Sequence, residues 1–135
     1  RCAVYKRENG QMSQRTKQAK FWQMFAMIIL EAQASGDPIV IIDWMRTKER
    51  QAYLVSIGRS KTLDSKHLEG LAGDIAFLSD INDDGIINYI PDKYKHLGEY
   101  WESLDPNNVW GGRWGDNPNT KKIEGWDSGH LQYGK

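Results

Sequence analysis

The chain holds a single cysteine, Cys2, so no disulfide can form within it, and cysteine usage does not fix a redox compartment. It lacks charge of one sign: 18 Lys and Arg balance 18 Asp and Glu, and no basic stripe marks a nucleic-acid footprint. A long hydrophobic run is missing too. The longest apolar stretch, residues 21–30, contains Gln23 and reaches only about half a membrane span. Because a polar stretch precedes it, it is neither a signal peptide nor a transmembrane helix. Internal repeats, low-complexity tracts and Pro/Ser linkers are absent. The 135 residues therefore suit one compact domain, 1–135, long enough for a real core and too short for two. Six tryptophans are unusual at this length.

Periodicity outlines the elements. Phe21, Trp22, Phe25, Ile28, Ile29 and Ala32 recur at spacings of three and four, which predicts a helix over 16–34 that stops at Ser35-Gly36 before Asp37-Pro38. The β-branched run 39–42 is too short for a helix and reads as a buried strand. Thr47 is placed to cap a helix ending near Ile57, where Gly58 closes it. Residues 59–69 read as an irregular loop that delivers His67, and 70–78 as a strand with Asp74 on one face and Ile75 and Phe77 on the other. A turn over 80–85 is expected to return the chain as a partner strand over 86–90. Pro91 then opens a helix to about Leu104, with Tyr94, Leu97 and Trp101 inward. Segments 109–114 and 130–133 are further candidate strands. The sum is an α+β domain, a small and mainly antiparallel sheet packed with helices.

The chemistry concentrates in two fragments, Ser65-Lys66-His67-Leu68-Glu69-Gly70-Leu71-Ala72-Gly73-Asp74 and Trp126-Asp127-Ser128-Gly129-His130. A lone histidine is usually structural or exposed. Three features set His67, Asp74 and His130 apart. Their loop and strand positions let them converge without sharing an element. Gly70, Ala72, Gly73 and Gly129 leave room for close backbone approach. Asp74 also lies mid-strand in an apolar stretch, where an unpaired carboxylate is costly and a cation offsets that cost. Three ligands would leave a fourth position open, the arrangement of a catalytic zinc, with Asp127 near enough to act as a base. Spacing alone leaves this reading level with the structural one.

Other features have plainer readings beside the chemical ones. Arg46 could clamp a carboxylate or an oxyanion, or make a surface ion pair. Trp110 and Trp114 could line a groove for a peptide or sugar, or pack in the core. Asp80-Ile81-Asn82-Asp83-Asp84-Gly85 resembles the start of a calcium loop, yet Pro91 stands where the bidentate glutamate belongs, so an Asp- and Gly-rich turn is the better account. His96, among lysines, reads as a surface residue.

In order along the chain, Arg46-Thr47-Lys48-Glu49-Arg50-Gln51 fits R-T-x-x-x-Q. Residues 65–74 fit S-x-H-x-x-G-x-A-x-D, Trp110-Gly111-Gly112-Arg113-Trp114 fits W-G-G-x-W, and Asp127-Ser128-Gly129-His130 fits D-x-x-H. This series resembles the zinc D,D- and L,D-peptidases of the D-Ala-D-Ala carboxypeptidase/dipeptidase type, which share the hedgehog-domain fold, and most of all the phage L-alanyl-D-glutamate endopeptidase endolysins. The resemblance spans roughly 21–132. It implies His67, Asp74 and His130 as ligands of Zn2+, Asp127 as catalytic base, Arg46 as substrate-binding and oxyanion-steadying residue, and Ser65 as a substrate contact. It further implies the peptidoglycan stem peptide as partner, with neither nucleic acid nor membrane, for a monomeric enzyme made in a host cytoplasm and acting on the cell wall. A D-Ala-D-Ala carboxypeptidase and an inactive wall-binding module are the alternatives. Leu131 stands where an aromatic is common, and the polar stretch 115–125 leaves loop-based specificity open.

Overall fold

A computed structural model describes residues 7–8, 11–60, 62–115 and 127–135. Helix α1 (Gln14–Ala34) starts at Ser13, whose hydroxyl accepts the Thr16 N–H at 3.2 Å, and ends as Gly36 turns at φ 88°. It buries Phe21, Met24, Phe25, Ile28 and Ala32, one stripe at helical spacing. A short antiparallel pair, β1 (Arg7–Glu8) and β2 (Gln11–Met12), precedes it. Helix α2 (Lys48–Ser56) is capped by the Thr47 hydroxyl on Arg50 N–H at 3.1 Å, and α3 (Pro91–Leu104) opens on its proline, as the sequence predicts.

The sheet joins β3 (Ile39–Asp43), β4 (Ala72–Phe77), β5 (Asn108–Trp110) and β6 (His130–Tyr133) in the order β3-β4-β6-β5, every pair antiparallel. Period-two alternation gives its central strands two different faces. Ile75, Phe77, Leu131 and Tyr133 enter a core with α1 and α3 that also holds Phe21, Phe25, Trp101 and Trp110. Gly73 lies on this covered face, where a Cβ would stand 2.6 Å from the Phe25 ring. Asp74 and His130 point the other way, toward the opposite face.

Three expectations change. The strand over 39–42 forms but is not buried: Val40, Ile41 and Ile42 are 36%, 43% and 43% exposed, because β3 is an edge strand and only Ile39 is packed against the core. Residues 86–90 do not return as a strand. Both sides of β4 are already taken by β3 and β6, and only an isolated Ile81–Ile87 bridge remains. The strand expected over 109–114 stops at Trp110 and tightens into a 3-10 turn, Gly111–Arg113, while the loop bearing His67 contains another, Lys66–Glu69.

The turn over 80–85 forms around Asn82, whose side-chain oxygen accepts the N–H groups of Asp84 and Ile86 at 3.0 and 2.9 Å. Asp80 is engaged by Lys93 at 2.6 Å and the Tyr94 hydroxyl at 2.8 Å. Two of the three early calcium-loop oxygens thus have partners within the protein, which favours the plain turn. His96 lies on the surface against Glu31.

Asp105, at the end of α3, meets Lys20 of α1 at 2.6 Å. Burial pushes its carboxyl up, but the Lys20 hydrogen bond and the Asn107 N–H outweigh this and hold it below the usual carboxylate range. A depressed carboxyl adds stability above its unfolded value that is lost as pH falls through the folded one. Lys20→Met is therefore expected to destabilise the protein by roughly 1 kcal/mol at neutral pH. The gap to wild type should close on acidification past the carboxylate range, which denaturant melts across pH would read.

Candidate metal centre

Four chain segments meet on the face of the sheet opposite α1 and α3. Asp74 on β4 and His130 on β6 are register partners, so their side chains start a cross-strand pair apart. The 3-10 turn before β4 carries His67. It is capped by Ser65, whose hydroxyl accepts the His67 N–H at 3.2 Å, and closed by Gly70 at φ 69°. The connection from β3 to α2 supplies Trp44 and Arg46, and Arg46 N–H donates to the His67 carbonyl at 3.0 Å. Asp127 sits in the turn entering β6, its carbonyl accepting His130 N–H at 3.0 Å.

The three predicted ligands converge. His67 Nε2 is 3.2 Å from Asp74 Oδ2, His130 Nδ1 is 3.0 Å from Asp74 Oδ1, and one donor atom from each residue lies within 4.8 Å of the others. Ligands at zinc bond lengths in a tetrahedral site stand roughly 3.3 Å apart. The chemistry of the donors also fits. His67 Nδ1 is hydrogen-bonded to the Trp44 carbonyl, which can only accept, so in the neutral imidazole the proton resides on Nδ1 and Nε2 carries the lone pair. That Nε2 is buried and has no hydrogen-bond partner, yet it faces a carboxylate oxygen. Two acceptors facing each other in a buried site repel unless a proton or a metal cation lies between them. A divalent ion fits that place.

Electrostatics follow from this crowding. Burial pushes the Asp74 carboxyl up, but hydrogen bonds and charge from His130 and His67 prevail and hold it well below the carboxylate range. Burial lowers His130, while Asp74 more than compensates and raises it. Asp127, whose Oδ2 is 3.7 Å from His130 Nδ1, is pushed up to about 6 by burial against the pull of His130, with the Asp74 charge adding to the rise. A bound cation would draw it down again.

Arg46 is largely buried and fixed at three points: Nε to Asp43 at 2.6 Å, Nη1 to Gln51 Oε1 at 3.0 Å and Nη2 to Asp74 Oδ2 at 3.0 Å. A guanidinium has about five N–H donors, so about two stay uncommitted beside the ligands. Gln51, 1% exposed, also donates to Ser60 Oγ and the Thr62 carbonyl, tying Arg46 to the loop before Ser65. An open cleft of about 1110 Å³ spreads over these groups, with Ser65, Tyr89 and Trp114 among its walls. Trp114 stacks at 4.8 Å from the His130 ring, whereas Trp110 is wholly buried and donates to the Ser128 carbonyl. Of the two candidate groove tryptophans, only Trp114 lines the cleft. Trp126 and the stretch beyond Gly115 lie outside the described residues.

Sequence reasoning did not single out Trp44, Asp43, Tyr89 or Gln132. Gln132 had a signal, since two residues after His130 on a strand means the same face. The Trp44 contribution is a backbone carbonyl and leaves no trace in residue type.

The fold is that of the zinc D,D- and L,D-peptidase group whose motifs the sequence resembles. The chain is similar to the L-Ala D-Glu endopeptidase ChiX of Serratia marcescens, at 22% identity and TM-score 0.59, covering 85% of this chain and 78% of that one. It is also similar to the vancomycin-resistance D,D-pentapeptidase VanY in complex with Zn(II), at 18% identity and TM-score 0.52 over 84% of this chain and 70% of that one. A third likeness, again at 18% and 0.52, is VanYB in complex with D-alanine-D-alanine, over 86% and 70% of the two chains. No protein-family model and no curated sequence matches the chain.

Proposed function

We propose that the chain is a zinc metallopeptidase that hydrolyses peptidoglycan stem peptides at the L-Ala–D-Glu bond, in a wall-lysing role like that of phage endolysins. The observation that carries this reading is the bare, buried His67 Nε2 facing Asp74 beside His130, with Asp127 and Arg46 at the rim. The solved structures of like fold, an L-Ala D-Glu endopeptidase and a D,D-pentapeptidase in complex with Zn(II), support the substrate class and the metal.

His67 through Nε2, Asp74 and His130 through Nδ1 would hold the ion. When bound, zinc polarises a scissile carbonyl and makes water acidic enough to lose a proton near neutral pH. Asp127 would take up a proton from the attacking water and return it to the departing amide nitrogen, a carboxylate acting first as base and then as acid. The free N–H donors of Arg46 meet the oxygen on which charge develops, and Asp43 and Gln51 keep the guanidinium from following the substrate. The Ser65 oxygen is occupied by the His67 N–H, which leaves its own proton to donate to the peptide. Burial and the nearby carboxylates push the Tyr89 hydroxyl up to about 12, so it stays a neutral donor in the cleft. Arg50 and Arg59 also line the cleft and have no ion pair among the described residues, which suits a peptide carrying the free carboxylate of D-glutamate.

Purified protein is expected to clear wall suspensions, to stop when treated with a chelator and to recover with zinc. Mass spectrometry of a defined muropeptide should show a new glutamyl amino terminus. Release of D-alanine instead would make it a D,D-carboxypeptidase. Binding to sacculi without any new amino group would overturn the peptidase reading.

A further inference from the structure

Each metal-site histidine has a second ring nitrogen, and what that nitrogen touches decides which atom is left for the metal. For His67 the partner is a backbone carbonyl and is invariant to side-chain substitution. For His130 it is the side chain of Gln132. Its Oε1 lies 2.8 Å from His130 Nε2, while its Nε2 lies 2.7 Å from the Gly134 carbonyl. The second contact settles the first. Turning the amide over would place its oxygen against the Gly134 oxygen, acceptor to acceptor, so the amino group must face Gly134 and the amide oxygen must face His130. An amide oxygen can only accept. Gln132 therefore holds a proton on His130 Nε2, and Nδ1, 3.0 Å from Asp74 Oδ1, is the nitrogen turned toward the other two candidate ligands.

Gln132 is itself held. It sits on β6, flanked by Ala72 of β4 and Val109 of β5, and its carbonyl accepts the Trp101 indole N–H at 3.0 Å, from a ring that is fully buried. The core thus fixes the backbone, the Gly134 carbonyl fixes the amide, and the amide fixes the imidazole.

We propose that Gln132 is a positioning residue of the metal site, which sets the tautomer and ring plane of His130 so that the ion is taken by Nδ1. The two histidines then ligate through unlike nitrogens, Nε2 from His67 and Nδ1 from His130. The inference rests on the metal reading above but is tested separately from it. Outer partners of this kind change metal affinity by about 10–100-fold.

The experiment compares the whole protein with Gln132→Leu, which has no acceptor, and Gln132→Glu, which restores one, each checked for fold by circular dichroism. Competition against a chromophoric chelator should show zinc held about 10–100-fold more weakly by Gln132→Leu, with Gln132→Glu recovering most of the loss. A purely structural role for the side chain would not sort the two variants by acceptor. Imidazole ¹⁵N shifts give the second readout. In metal-free wild type at alkaline pH, His130 should be the Nε2–H tautomer, and Gln132→Leu should show a mixture. That measurement decides the role of Gln132 even if wild type binds no zinc, a result that would sink the metallopeptidase reading alone. Wild-type zinc affinity in Gln132→Leu, or an Nδ1–H tautomer in wild type, would overturn the proposal.

Discussion

Asp127→Asn is expected to fold, to bind one equivalent of zinc as tightly as wild type or nearly so, and to lose about 10²–10⁴-fold in kcat on wall peptides. The argument is one of role and distance. Asp127 Oδ2 stands 3.7 Å from His130 Nδ1, outside hydrogen-bonding reach, and it faces the cleft from the turn before β6. The substitution keeps shape and volume and removes only the capacity to take up a proton. His67→Ala gives the contrasting pattern, since it deletes a ligand: zinc stoichiometry should fall together with activity. Plasma emission measurement of bound zinc, beside turnover on a defined muropeptide, separates the two. An Asp127→Asn protein with full activity would remove this residue from the chemistry.

The second large effect is structural. Gly129→Ala should destabilise the protein by about 3 kcal/mol, which for a chain of this size lowers the melting temperature by roughly 10 °C. Gly129 lies where β6 closes on β4, with its carbonyl accepting the Ile75 N–H at 2.9 Å. A methyl there would come 2.3 Å from the Ile75 carbonyl oxygen and 2.9 Å from the Tyr89 ring. A backbone oxygen cannot swing aside, so the strands must part, and the parting falls beside the Asp74–His130 pair. Zinc affinity should drop with stability, as calorimetric melts with and without zinc would show. Gly85→Ser makes an instructive contrast: its surroundings are open but its φ is 77°, so any cost there is local strain and leaves the metal site alone.

The signals that were legible in the sequence are those that local physics writes into residue order. The cap at Thr47, Pro91 at the head of α3 and the spacing of Phe21, Phe25 and Ile28 each fix an element without reference to the rest of the chain. The grouping of His67, Asp74 and His130 was legible because these residues are chemically distinctive and held in ordered motifs. What was not legible depended on neighbours distant in sequence. Ile39 to Ile42 have the composition of an interior strand, and only the order β3-β4-β6-β5 puts them at an edge. Segment 86–90 resembles a return strand until β6, arriving from the far end of the chain, occupies the side of β4 it would need. Gln51 appears in the sequence as one letter of a motif. Its role as anchor for Arg46, Ser60 and Thr62 appears only when three contacts are seen together.

One consequence follows from where Asp74 and His130 sit. They are opposite each other on adjoining strands yet 56 residues apart along the chain, and His67 joins them from a turn outside the sheet. An ion shared by the three acts as a removable rivet through the centre of the fold, since anything bound only by the native state shifts folding by mass action. The proposed reaction centre and the fastening of the sheet would then be one object, and scarcity of metal would loosen the architecture as it silenced the chemistry.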